Sequence, residues 1–78
     1  MFACEHYNVI PDIMTIGKGL SSGYFPISAT IVKPKVYEAF LGPTHKQAFM
    51  HGQTYQGHPL GCAVALKDTE IMDEISYE

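Results

Sequence analysis

Apolar and polar positions alternate in a way that divides the chain into short strands, one short helix and one long helix. Residues 1–11 show no clear periodicity and close on Ile10-Pro11, which biases Ile10 towards extended backbone. Asp12 to Gly17 then reads as a strand, with Ile13, Met14 and Ile16 forming a nearly continuous apolar run. Gly19 to Phe25, with two glycines and two serines, reads as a loop. The β-branched run Pro26 to Val32 predicts a second strand, with proline at its first residue where a missing N–H is tolerated. Only about eight residues separate the two strands, and a parallel crossover needs about a dozen or more. As neighbours they are therefore antiparallel.

Pro34 suits the first position of a short helix on which Val36, Ala39 and Phe40 share a face, and Gly42-Pro43 stops it. Residues 42–57 form a long loop, of a length that is usually functional or disordered. Pro59 opens the longest helix, expected to run to about Ile75. Its first half, Leu60 to Leu66, is apolar nearly all round, as in a helix buried within a larger body. From Lys67 it turns amphipathic. Asp73 and Glu74 near its end oppose the helix dipole, so the helix is expected to continue past Glu78 in an intact protein. The class is α/β, without internal repeats.

At 78 residues the chain is one small domain at most, and one this short buries only roughly 60–65% of its unfolded surface. With 46% apolar and only 17% charged residues, the chain reads as a piece of a larger protein whose faces are meant to be covered. The net charge of -3 includes no arginine, which leaves nucleic-acid binding with little support. Two cysteines, Cys4 and Cys62, are too few for a secreted disulfide scaffold and favour a reducing, cytoplasmic setting. The first residues have no signal-peptide pattern, and no apolar run is long enough to span a membrane.

The candidate chemistry centres on Gly17-Lys18-Gly19. A phosphate loop would need Ser or Thr after the lysine and Gly six residues before it, where Gly19 and Asp12 stand. A dinucleotide fingerprint would need a helix where Tyr24-Phe25-Pro26 leads into a strand. Cys4, His6, His51 and His58 lack the spacing of metal ligands. Lys18 has two readings on local grounds. It is a solvated loop lysine, or an amine in a partly dry pocket made nucleophilic towards an aldehyde or ketone, with glycines clearing space for a planar ligand. Thr54 also has two. It belongs to a mobile polar loop, or its hydroxyl joins the backbone N–H groups of residues 51–57 in cradling a phosphate ahead of a helix.

In their order and spacing, five stretches resemble the class III (omega) aminotransferases. They are Phe2-Ala-Cys-Glu-His6, Pro11-Asp-Ile13, Gly17-Lys18-Gly-Leu20, Gly23-Tyr-Phe-Pro-Ile-Ser28 and Phe49-Met-His-Gly-Gln-Thr-Tyr-Gln-Gly-His-Pro59. The resemblance covers essentially the whole chain. It implies a fragment of the large domain of a fold type I enzyme: two antiparallel strands, a short helix, a long loop and a long C-terminal helix. Residues 1–78 would be part of that cofactor-binding domain, lacking its N-terminal part and the small C-terminal domain.

The resemblance further implies pyridoxal 5'-phosphate as cofactor, with Lys18 as the catalytic residue that holds it through a Schiff base, the internal aldimine. Thr54 would bind the cofactor phosphate in the neighbouring subunit's site of a homodimer. The implied reaction moves an amino group from an amine or ω-amino acid to a keto acid. A diaminononanoate aminotransferase of the biotin pathway is the alternative. The acidic partner of the pyridine nitrogen, the phosphate cup and the aromatic stacked on the ring all fall outside these residues. A second alternative is therefore a non-catalytic fragment with no activity alone. Met1 matches an interior position of the family pattern, so the chain is expected to be an excised or truncated segment.

Overall fold

Two short runs of β-branched and apolar residues, close in sequence, pair as a hairpin because each satisfies the other's backbone groups. A computed structural model describes residues 2–75. Strands β1 (Ile13–Ile16) and β2 (Ala29–Val32) are antiparallel, in the register Ile13↔Val32, Met14↔Ile31, Thr15↔Thr30 and Ile16↔Ala29. The ladder extends one step further through the Lys33 N–H, which donates to the Asp12 carbonyl at 2.9 Å. There the Asp12 carboxylate meets Lys33 Nζ at 3.1 Å and Lys35 Nζ at 3.2 Å. The hydrogen bonds from Lys33 and then Lys35 hold the Asp12 carboxyl below the usual aspartate range. The second strand is shorter than expected. Pro26, Ile27 and Ser28 stay outside the ladder, because β1 offers four residues to pair with and Pro26 has no N–H to give.

Residues near the start, expected to be irregular, form one helical turn, α1 (Ala3–His6). Glu5 Oε1 accepts the Phe2 N–H at 3.1 Å, a local capping contact that favours the turn without any periodic signal. Helix α2 (Pro34–Glu38) starts on Pro34 as expected but is shorter. Ala39 and Phe40 lie past its end in tighter turns, with the Phe40 N–H on the Tyr37 carbonyl at 3.0 Å. Phe40 packs its ring 5.1 Å from that of Phe49 in the following loop, so it does not share a helical face with Val36.

Helix α3 (Pro59–Glu74) begins on Pro59, and Ile75 follows as its cap. Its continuation beyond Glu78 lies outside the described residues. Gly61, Val64, Ala65, Asp68 and Met72 form its covered stripe, at spacings of three and four. This stripe faces the turn between β1 and β2. Leu60, Leu66 and Ile71 are exposed on the remaining surface.

The assembled elements make a layer of 44 × 33 × 17 Å. Its radius of gyration is 15.0 Å, against about 11.5 Å for a compact chain of this length. Its accessible surface is 6831 Å², against about 4,700 Å² for a compact protein of this mass. Among the described residues Ala65 is the buried apolar side chain, while Tyr24 is 86% and Met50 84% exposed. Local pairing, not a core, holds this layer together.

Candidate functional site

Lys18 follows β1 after one glycine, Gly17, at the first position of a single 3-10 turn, Lys18–Leu20. Its φ of 48° lies in the left-handed region, where a non-glycine residue costs about 1–2 kcal/mol. Ser22 at 51° and Gly23 at 80° share that region. The turn is closed by its own backbone: the Leu20 N–H donates to Gly17 at 3.1 Å and the Ser22 N–H to Gly19 at 3.3 Å. Two serines then fix it. Ser21 is 1% exposed. Its hydroxyl donates to the Phe25 carbonyl at 2.6 Å and accepts the Phe25 N–H at 3.4 Å. The Ser22 hydroxyl donates to Asp68 Oδ1 on α3.

The Lys18 side chain is exposed. Lys33 and Lys35 pair with Asp12, and Lys67 with Glu70, whereas Lys18, like the exposed Lys46, has no acidic partner among the described residues. Beside it, a Cβ added at Gly19 would meet nothing within 4 Å, and one at Gly17 would make ordinary contacts with Ser28 and Ile27. The space next to the amine is therefore open, as a planar ligand would require.

Thr54 lies on the turn that leads into α3, exposed, with no partner for its hydroxyl among the described residues. Its turn is closed by the Gln56 N–H on Gln53 at 3.1 Å and the His58 N–H on Tyr55 at 3.0 Å, with Gly57 at φ 71°. The start of α3 is already partly satisfied. Pro59 has no N–H, and the Gly61 N–H donates to His58 Nδ1 at 3.3 Å. The loop's own N–H groups and the Thr54 hydroxyl are the donors left for an anion, more than the helix end itself.

The structure does not bring Lys18 and Thr54 together. Gly17 and Gly19 border one groove, shared with Asp68 and Met72 of α3. The loop before α3 borders another, shared with Phe25, Ile27 and Cys62. Between the two regions sits a packing contact that sequence reasoning missed. The Phe25 ring stacks on His58 at 5.3 Å, and a Cβ added at Gly61 would lie 2.8 Å from Phe25 Cε1. Glycine inside a helix costs up to about 1 kcal/mol relative to alanine, so Gly61 was the available signal for a close approach. Ser21, Ser22 and Asp68 were also missed, since nothing local marks a buried serine or its partner. Among the described residues no cluster of His, Cys, Asp or Glu has the makeup of a metal site, and no helix is long and apolar enough to cross a membrane. An unpaired amine in open space can bond a carbonyl, and an unpaired hydroxyl beside loop N–H groups can bind a phosphate.

The sequence model of the family described as Aminotransferase class-III matches residues 1–77. The chain belongs to the class-III aminotransferases. It is 46% identical over 74 residues to an adenosylmethionine-8-amino-7-oxononanoate aminotransferase of Geobacter sulfurreducens, covering 94% of this chain and 16% of that protein. It is 48% identical over 75 residues to a chloroplastic gamma aminobutyrate transaminase 3 of Solanum lycopersicum, covering 95% of this chain and 14% of that protein. Among solved structures, a Bacillus anthracis aminotransferase superposes with a TM-score of 0.84 at 45% identity, over 94% of this chain and 16% of that one. This class-III aminotransferase sequence thus spans about one sixth of the length of the curated relatives it matches. The expected α/β arrangement, with its antiparallel strand pair, agrees with these neighbours.

Proposed function

We propose that this chain is the lysine-bearing segment of a pyridoxal-phosphate-dependent aminotransferase that moves an amino group from an amine or ω-amino acid to a keto acid. The observation that carries the reading is the Lys18 amine: exposed, without an acidic partner and set on a left-handed turn between two glycines, in a chain matched by the family over residues 1–77. Pyridoxal phosphate, when bound, supplies an electrophilic carbonyl and an electron-withdrawing ring. Lys18 Nζ is the group that would bind that carbonyl and, once displaced by an incoming amine, hold and return a proton as base and acid. Gly17 and Gly19 keep side chains away from the amine. The Thr54 hydroxyl and its loop N–H groups would bind the phosphate.

Gly17 and Gly19 beside the lysine border one groove, and Gln53 and Tyr55 beside Thr54 border another; that separation accords with a homodimer in which Thr54 serves the neighbouring subunit's site. The segment would then be part of a large cofactor-binding domain, and the 78-residue chain alone would not catalyse. With both cysteines free, we place the parent in the cytoplasm. Identities of 46% and 48% to relatives with differently named substrates are too similar to choose between them.

Borohydride reduction of the full-length protein with pyridoxal phosphate, followed by peptide mapping, tests this reading. The cofactor is expected on Lys18, and Lys18→Ala is expected to abolish both the label and amino transfer. Undiminished turnover in that variant, or label spread over all five lysines of this segment, would sink it.

A further inference from the structure

Lys18, Ser22 and Gly23 all have positive φ within six positions, a backbone path that persists only where surrounding contacts over-determine it. On the near side the buried Ser21 hydroxyl closes the turn onto Phe25. On the far side Ser22, itself left-handed, donates its hydroxyl to Asp68 Oδ1, which reaches it from α3 across 46 residues of sequence. Asp68 is half-buried on the covered stripe of α3, and its bond to the exposed Ser22 lies at the surface. Asp68 also borders the groove next to Gly17 and Gly19, on either side of the lysine.

We propose that Ser22 and Asp68 are positioning residues for Lys18: their hydrogen bond is a strut that fixes the lysine turn against α3. The inference rests on the amino-transfer reading above for its functional consequence. Its mechanical content is independent of that reading. The hydroxyl proton of Ser22 and one carboxylate oxygen suffice, so the charge on Asp68 is not required. An asparagine Oδ1 would accept the same bond.

Four variants of the full-length protein test the strut: Ser22→Ala, Asp68→Ala, the double variant, and Asp68→Asn. Hydrogen exchange at the amides of residues 18–25 in the cofactor-free protein is the first readout. Both alanine variants are expected to exchange faster there, the double variant no faster than either single one, and Asp68→Asn close to wild type. Steady-state amino transfer is the second. Each alanine variant is expected to lose about tenfold in kcat, with the amine KM within about twofold and no further loss in the double variant. Additive effects, or an Asp68→Asn variant as impaired as Asp68→Ala, would overturn the strut. If Lys18 proves not to carry the cofactor while exchange still follows this pattern, the amino-transfer reading fails, and the strut's role in positioning a catalytic amine fails with it.

Discussion

The turn of residues 17–25 and the loop of residues 42–57 each carry a candidate binding residue, yet they are held by different means. The first is bracketed by a paired hairpin, closed by its own backbone, clasped by the buried Ser21 and tied to α3 through Ser22 and Asp68. The second has one isolated 3-10 turn, His45–Gln47, an exposed Phe40–Phe49 ring contact and the turn that carries Thr54. Its Phe49, Met50 and Tyr55 stay exposed despite ring contacts of Phe49 with Phe40 and His51 and of Tyr55 with His58. A lysine that bonds a ligand covalently needs a fixed backbone from its own chain. A threonine that serves another subunit's site can be ordered by that subunit. The difference in support is what such a division of labour would produce.

The largest expected effect follows from mixing dimers. If Thr54 acts across the interface, Lys18→Ala and Thr54→Ala subunits complement each other, because one site of the mixed dimer receives both intact residues. After random reassociation at limiting cofactor, activity should return to roughly a quarter of wild type, since half the dimers are mixed and one of their two sites is whole. Activity that stays at the level of the parent variants would place Thr54 in its own subunit's site and remove the division of labour between the two regions.

A smaller effect tests the contact that joins the two regions. In an exposed helix, Gly→Ala stabilises by up to about 1 kcal/mol. At Gly61 the added methyl would lie 2.8 Å from Phe25 Cε1, with the ring already stacked on His58. Overpacking of this kind costs about 1–3 kcal/mol, so Gly61→Ala is expected to destabilise the full-length protein by about 1–2 kcal/mol. A raised thermal midpoint would show that Phe25 is free to move away and that the two regions are not coupled there.

The smallest effect lies at the open end of the hairpin. Pairing with Lys33 and Lys35 depresses the folded-state pKa of Asp12 below its unfolded value of about 3.9. The stabilisation is therefore present above that unfolded value and disappears as pH falls through the folded one. Asp12→Asn should flatten the acid limb of stability below about pH 4, with little change near neutrality because the pair is solvent-exposed. Urea midpoints measured across pH for both proteins would show it. Superimposable acid limbs would mean that the hairpin does not use this clamp.

Sequence patterns revealed what is local and periodic. The apolar runs of β1 and β2, their short separation and the proline that opens α3 were legible because each is decided within a few residues. Strand ends, α1 and the end of α2 were not, since they depend on where the partner strand stops, on the contact of Glu5 with Phe2 N–H, and on Phe40 turning to meet Phe49. At the candidate site, Lys18 and Thr54 stood out through motif order. Their supports did not, because Ser22 and Asp68, or Phe25 and Gly61, meet only once α3 has folded back over the hairpin. The apolar first half of α3 reads as surface meant to be covered, and in this layer Leu60 and Leu66 are exposed.

The reach of the Ser22–Asp68 bond has a consequence for synthesis on the ribosome. Forty-six residues separate the two partners. At about 5–20 residues per second, Ser22 would emerge about 2–9 s before Asp68. During that interval β1 and β2 can already pair, while the turn between them lacks its far support. The lysine is thus translated early and locked late.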